Sequence, residues 1–263
     1  MRSGLTARIV TGAVLLPVLF FLIHLGGWYY TALIALVVAV GAWEWGRLTR
    51  LAPAETLWLG LGAVGTALAA TRVPDATQLA ILAVYLAAFL LLALRHAGGD
   101  ARRHAADLLL GLFYVGLFPA FLLRMRAMPD GRAAVIFAHA TVFFCDSCAY
   151  MVGRALGRHA LWTRVSPRKT WEGAVAGLAA AVLFAVGGRA LLADFLTPAC
   201  AAGFGLIVGI CGQAGDLVES LWKREAGVKD SSALIPGHGG VLDRFDNLHF
   251  VAPILYAYLL ACR

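Results

Sequence analysis

Apolar runs long enough to cross a membrane punctuate this chain, and they constrain its fold more than any other feature. A helix needs about 17–25 apolar residues to span the hydrocarbon layer. Nine runs reach or approach that length: Arg8–Leu25, Trp28–Trp43, Glu55–Ala70, Gln78–Leu94, Ala105–Leu123, Ala133–Gly153, Gly173–Leu192, Pro198–Glu219 and Leu248–Cys262. The second and third are short, which tilting or re-entry would accommodate. The first has no small-x-small cleavage site before the next run, so it reads as an uncleaved helix. Only 14% of residues are charged and 61% are hydrophobic, whereas soluble domains are about a quarter charged. A soluble globule and a disordered chain are both excluded. Five cysteines, an odd number mostly within apolar runs, exclude a disulfide scaffold. The expected fold is an all-α polytopic membrane protein of about nine transmembrane helices, with residues 1–263 forming one integral domain.

The charges suggest an orientation. With the N-terminus inside, sixteen of the 22 Lys and Arg residues fall in inner loops, as the positive-inside rule requires. Arg124, Arg126 and Arg132 form the outer loop that runs against this trend. The net charge of +7 is spread between apolar runs rather than gathered on a soluble face, so no nucleic-acid partner is expected. Residues 1–140 are mainly Leu, Ala and Val, and nine of the 15 acidic residues lie within 141–250.

The densest polar stretch runs from Gly215 to Asp246. Asp216 and Glu219 are three residues apart near the inner end of an apolar helix, hence on one face. Carboxylates at lipid depth are candidate site residues by default. Ser220, Lys223 and Arg224 continue that helix. Pro236-Gly-His-Gly-Gly240 cannot be helical, and its glycines permit positive φ and close approach of backbone N–H groups to an anion. Asp243 and Asp246 follow at helical spacing. Oxygen ligands beside phosphates suit Mg²⁺, which takes one or two carboxylates plus substrate oxygens, and the cations would hold the remaining phosphate charge. Inside-positive anchors with acidic partners would give the same charges, but an anchor needs no glycine loop.

The stretch closely resembles the phosphatidate cytidylyltransferase signature: Ser220, Lys223, Arg224, Lys229, Asp230, Pro236 to Gly240, Asp243, Arg244 and Asp246. Asp146-Ser-Cys-Ala-Tyr-Met-Val-Gly-Arg154, Ser166-Pro-Arg-Lys-Thr-Trp-Glu-Gly173 and Gly212-Gln-Ala-Gly-Asp-Leu217 resemble it too. Trp222 stands where the family usually has an aliphatic residue, and Asn247 where it usually has Ser. The resemblance implies a reaction of CTP with phosphatidic acid, giving CDP-diacylglycerol and pyrophosphate for phospholipid biosynthesis. It implies a bacterial inner membrane, a cytoplasmic N-terminus, and a site at the cytoplasmic side of the half 141–263. Asp216, Lys223, Arg224, Asp243 and Asp246 are the expected catalytic residues. Asp216, Asp243 and Asp246 would hold Mg²⁺, with room for a second cation. Ser166, Arg168, Lys169, Ser220, Lys229, His238, Gly239, Gly240 and Arg244 would bind substrate.

Ser166 to Thr170 reads as a loop entering a helix near Gly173, with charge beside a helix N-terminus. Asp146, inside an apolar run, fits either a carboxylate bonded to a neighbouring helix or a site acid; the resemblance favours the second. Cys145-Asp-Ser-Cys148 lacks the βαβ setting of a redox pair. There is no GxxxxGK[ST] and no HExxH. Three other readings stay open: a same-fold transferase acting on another lipid phosphate, an ion-coupled transporter, which usually shows inverted repeats not visible here, and a non-catalytic scaffold, which would not need the glycine loop. Gly205, Gly209 and Gly212 would let helices approach closely, within one chain or across a homodimer.

Overall fold

A computed structural model describes residues 2–69 and 101–262, and side chains from residue 10 in the first stretch and 103 in the second. The apolar run Gln78–Leu94 lies outside the described residues. The described residues are mostly helical, with one small hairpin and a non-helical stretch between Glu225 and Leu242, and the chain is an α-helical membrane protein. Among the described residues five helices are long and apolar enough to cross a membrane: Gly27–Thr49, Arg103–Ala127, Gly131–Leu156, Trp171–Leu192 and Pro198–Glu225. The first, third and last runs also lie in helices, Arg2–Leu25, Pro53–Ala69 and Leu242–Ala261. Large apolar side chains face outward along these helices, among them Phe21, Leu36, Leu57, Leu183 and Leu191, as expected where the surrounding solvent is lipid.

Local chemistry sets the ends. Helix Gly27–Thr49 stops at Arg50, which takes the left-handed φ of 58° while its N–H donates to the Gly46 carbonyl. Pro53 then opens the next helix, and the Glu55 carboxylate accepts from the Ala52 N–H at 2.8 Å. Thr170 and Thr197 cap the helices beginning at Trp171 and Pro198, accepting from the Gly173 and Cys200 N–H groups.

The chain groups into two compact units. One comprises Met1–Arg124 and Ser231–Leu242. Its core includes Ile34, Trp45, Leu59, Leu108 and Tyr114, and the Trp45 indole N–H donates to the Asp107 carbonyl at 2.8 Å. The other comprises Met125–Asp230 and Asp243–Arg263. Helices Gly131–Leu156, Trp171–Leu192 and Pro198–Ile207 pack there around Phe137, Phe184 and Phe204.

Two sequence expectations change. The loop 154–172 contains an antiparallel hairpin, Ala160–Trp162 with Ser166–Thr170, so Ser166, Arg168 and Lys169 sit on a strand, and the following helix begins at Trp171. Edge position lets Pro167 stand in a strand without a ladder N–H. Cys200 and Cys262 form a disulfide, a single bridge joining the start of one helix to the end of another. The glycine stripe is spent inside the chain at two positions: a Cβ on Gly205 would lie 2.6 Å from the Val182 Cα, and one on Gly209 would lie 3.0 Å from the Leu178 Cα.

Overpacking a closely packed contact costs about 1–3 kcal/mol. Gly205→Leu should therefore lower the thermal unfolding midpoint in detergent by several degrees. Gly187→Leu, where an added Cβ meets nothing within 4 Å, should leave it unchanged or raised. Equal shifts in the two variants would contradict the packing.

Candidate functional site

The polar residues of the second unit converge from four segments. Helix Pro198–Glu225 carries Asp216, Glu219, Ser220, Lys223 and Arg224, and it is interrupted by a π turn at Val208–Gly212. The extra residue of such a turn rotates everything downstream by about 100° relative to an uninterrupted helix. Gln213 steadies the interruption: its Nε2 donates to the carbonyls of Gly209 and Ala174 at 2.7 and 3.0 Å. The acids that follow are thereby aimed by a motif residue that carries no charge.

Lys223 is buried, and its Nζ lies 3.1 Å from Glu219 Oε1 and 2.5 Å from Asp243 Oδ1. This ammonium ties two helices through two carboxylates that are themselves buried. Lys169, from the hairpin, pairs with Asp216, which also accepts from the Ser220 hydroxyl at 3.3 Å. Asn247 bridges toward Asp146, its Nδ2 donating to Oδ2 at 2.7 Å. The other end of that amide, Oδ1, is buried without a hydrogen-bond partner. Among the described residues no three His, Cys, Asp or Glu side chains close into a ready-made metal cage.

The other expected site residues are distributed differently. Arg224 directs Nε to the Val165 carbonyl at 3.2 Å and Nη1 to the Val228 carbonyl at 3.1 Å, so its guanidinium holds loop backbone in place. Arg168, Lys229 and Arg244 are exposed. Ser166 is half-buried on its strand. The Pro236–Gly240 loop belongs to the first unit. Gly237 and Gly239 take φ of 75° and 83°, the left-handed region their lack of a side chain allows. The His238 N–H donates to the Ile235 carbonyl at 2.9 Å, while its ring Nδ1 is buried with no hydrogen-bond partner.

The sequence matches the model of the cytidylyltransferase family over residues 6–262. The chain belongs to the cytidylyltransferase family. It is 34% identical to the phosphatidate cytidylyltransferase of Synechocystis, over 97% of this chain and 96% of that one. It is 36% identical to the protein of the same name from Brucella suis, over 97% and 93% of the two chains. A Staphylococcus aureus protein of that name is 40% identical over 59% of each chain. Two buried polar residues, Glu44 and Asn247, are not among the expected site residues. Glu44 sits wholly buried in helix Gly27–Thr49, one residue beyond the apolar run Trp28–Trp43, so a rule that marks acids inside apolar runs passes over it. Asn247 was noted only as a departure from the family pattern.

Removing one partner from a buried ion pair costs about 3–5 kcal/mol, because the remaining charge stays desolvated. Lys223→Met should therefore destabilise the protein severely in a detergent melt. Lys169→Met, at a pair roughly 30% exposed on both sides, should shift the midpoint little, since exposed pairs contribute about 0–1 kcal/mol. Comparable losses in both variants would refute the distinction.

Proposed function

We propose that the protein transfers the cytidylyl group of CTP to phosphatidic acid, forming CDP-diacylglycerol and pyrophosphate. A phosphate oxygen of the lipid attacks the α-phosphorus of CTP, and the bond from that phosphorus to the bridging oxygen of the β-phosphate breaks. The electron pair leaves with pyrophosphate. The attacking oxygen is already largely anionic near pH 7, a phosphate monoester having its second pKa at about 6, so no strong general base is required. What the site must supply is relief of repulsion between two anions and of charge building on the leaving group.

The observation that carries the reading is the pairing of Lys169 with Asp216 together with Asn247, which donates to Asp146 and keeps a buried Oδ1 without a hydrogen-bond partner. Asp216 and Asp246 would hold Mg²⁺, with Asn247 as a neutral oxygen donor and Asp243 as the third acid of the set. The bound ion would neutralise phosphate charge. Asp146 offers a carboxylate for a second cation. Lys169 is half-exposed beside Asp216, so it is the ammonium of this cluster that a phosphate reaches. Lys223 acts differently, holding Asp243 in place from its buried position. In the first unit the backbone N–H groups of the Pro236–Gly240 loop and the His238 ring would receive phosphate charge, and in the second the exposed Lys229, Arg244 and Arg168 would do so.

Orientation follows from charge and oxidation. The chain would cross a bacterial inner membrane nine times with its N-terminus in the cytoplasm. Disulfides persist in oxidising compartments, so the Cys200–Cys262 bridge supports an external position for that end of helix Pro198–Glu225. A helix rises about 1.5 Å per residue, so its 28 residues exceed the roughly 30 Å hydrocarbon layer. Lys223 and Arg224 then emerge on the cytoplasmic side, where CTP is. A homodimer would need a face other than Gly205 and Gly209, which are spent inside the chain.

Purified protein in detergent should convert phosphatidic acid when given CTP and Mg²⁺, and a chelator should abolish the conversion. Asp216→Asn and Asp246→Asn should each reduce turnover at least about a hundredfold, on the order of 2.7 kcal/mol, while inserting and purifying normally. Activity within threefold of the parent in both would sink the metal assignment. Single cysteines at Arg158 and Val228 should be shielded from a membrane-impermeant thiol reagent in intact cells and labelled after lysis; labelling from outside would overturn the orientation.

A further inference from the structure

We propose that Glu44 is a positioning residue for the reaction: its carboxylate clamps both ends of the segment Ser231–Leu242 and so holds the Pro236–Gly240 loop in the shape that receives a phosphate. The inference rests on the cytidylyl-transfer reading for what the loop receives, and on hydrogen bonds within the first unit for the clamp itself.

Glu44 lies in helix Gly27–Thr49, among apolar residues, with no exposed surface. An ionised carboxylate in such a place is costly unless each oxygen is fully satisfied. Four donors satisfy it, two on each oxygen. Oε1 accepts from the Ser232 hydroxyl at 2.6 Å and the Val241 N–H at 2.9 Å. Oε2 accepts from the Ser231 hydroxyl at 3.0 Å and the Leu242 N–H at 2.8 Å. The hydroxyls stand at the beginning of the segment and the N–H groups at its end, so one carboxylate closes the base of the loop. Further out, the loop is shaped by the Ile235–Gly239 bridge and by the positive φ of Gly237 and Gly239. The tip has little apolar anchorage of its own: Leu234, Pro236 and Gly237 are exposed.

Gly240 gains a reason from this clamp. A Cβ there would collide with Glu44 Oε1 and the Ser231 hydroxyl. The clamp also reaches the next element. Leu242 is the first residue of helix Leu242–Ala261, so the carboxylate meets a helix N-terminus, where negative charge is favourable. That helix carries Asp243, Arg244 and Asp246 along its first turns.

No other side chain reproduces the clamp. Gln would set an NH₂ against either the Val241 or the Leu242 N–H, and Asp is one methylene short. The test uses the full-length protein in detergent with E44Q and with the double variant S231A/S232A, which keeps the carboxylate and its two backbone donors. Hydrogen–deuterium exchange, without substrate, should quicken at least tenfold in peptides covering 231–242 in both variants. Peptides from helix Trp171–Leu192 should be unchanged. In the CTP-and-phosphatidate assay E44Q should lower kcat/KM about thirtyfold or more, with KM raised for at least one substrate. A residue that only stabilised the fold would reduce the active fraction and leave KM alone. Should E44Q fail to fold, the serine variant decides through the same two readouts. Parental exchange in 231–242 together with parental KM values would overturn the proposal. An inactive parent protein would instead sink the cytidylyl-transfer reading, and the exchange measurement would still judge the clamp.

Discussion

A carboxylate among membrane helices must find its partners inside the protein, because lipid offers neither water nor counterion. The polar structure here follows from that requirement. Glu44 collects four donors, Glu219 and Asp243 share the ammonium of Lys223, and Asp146 takes the amide of Asn247. Each arrangement joins segments distant in sequence, so satisfying the charge also fixes the backbone that carries it. Apolar packing alone would hold the helices together, but it is poorly suited to setting the positions of acids to within a fraction of an ångström. In this chain the buried charges perform that alignment.

The sequence was most readable where one physical rule dominated. Hydrophobic run length marked the helices, and charge density marked the stretch from Gly215 to Asp246. Both rules read local composition, and lipid makes local composition decisive. The hairpin Ala160–Trp162 with Ser166–Thr170 was not legible, because strands this short carry no detectable alternation and Pro167 argues against a ladder. The π turn at Val208–Gly212 was equally hidden, since nothing in a run of Val, Gly, Ile and Cys announces one extra residue. The Cys200–Cys262 bridge depends on where two helix ends lie, and an odd cysteine count spread through apolar runs conceals such a pair.

Residue type was legible while role was not. Lys169 and Lys223 look alike on paper, each a cation within a family motif. Their surroundings separate them: Lys223 is enclosed by Glu219 and Asp243, and Lys169 meets only part of Asp216 with its outer face open. A cation enclosed by two buried carboxylates is held in place, whereas one on a partly exposed carboxylate stays open to solvent. Arg224 shows the same divergence, since its guanidinium is engaged by the carbonyls of Val165 and Val228. Motif position alone cannot distinguish these fates, because each is decided by what a neighbouring segment brings.

The glycines of the Pro236–Gly240 loop show why one motif can carry several causes. Gly237 and Gly239 are needed for backbone angles that other residues strain to adopt. Gly240 lies under a different demand, the approach of Glu44 from a helix nearly two hundred residues earlier. A pattern read as a phosphate cradle therefore contains one member whose absent side chain makes room for a buried acid. The distinction has a chemical consequence. Backbone N–H groups bind anions well only when held still before the anion arrives, since their ordering otherwise subtracts from the interaction. By closing the loop at its base, Glu44 places that ordering in the folding of the protein, so an anion bound there would meet donors already set.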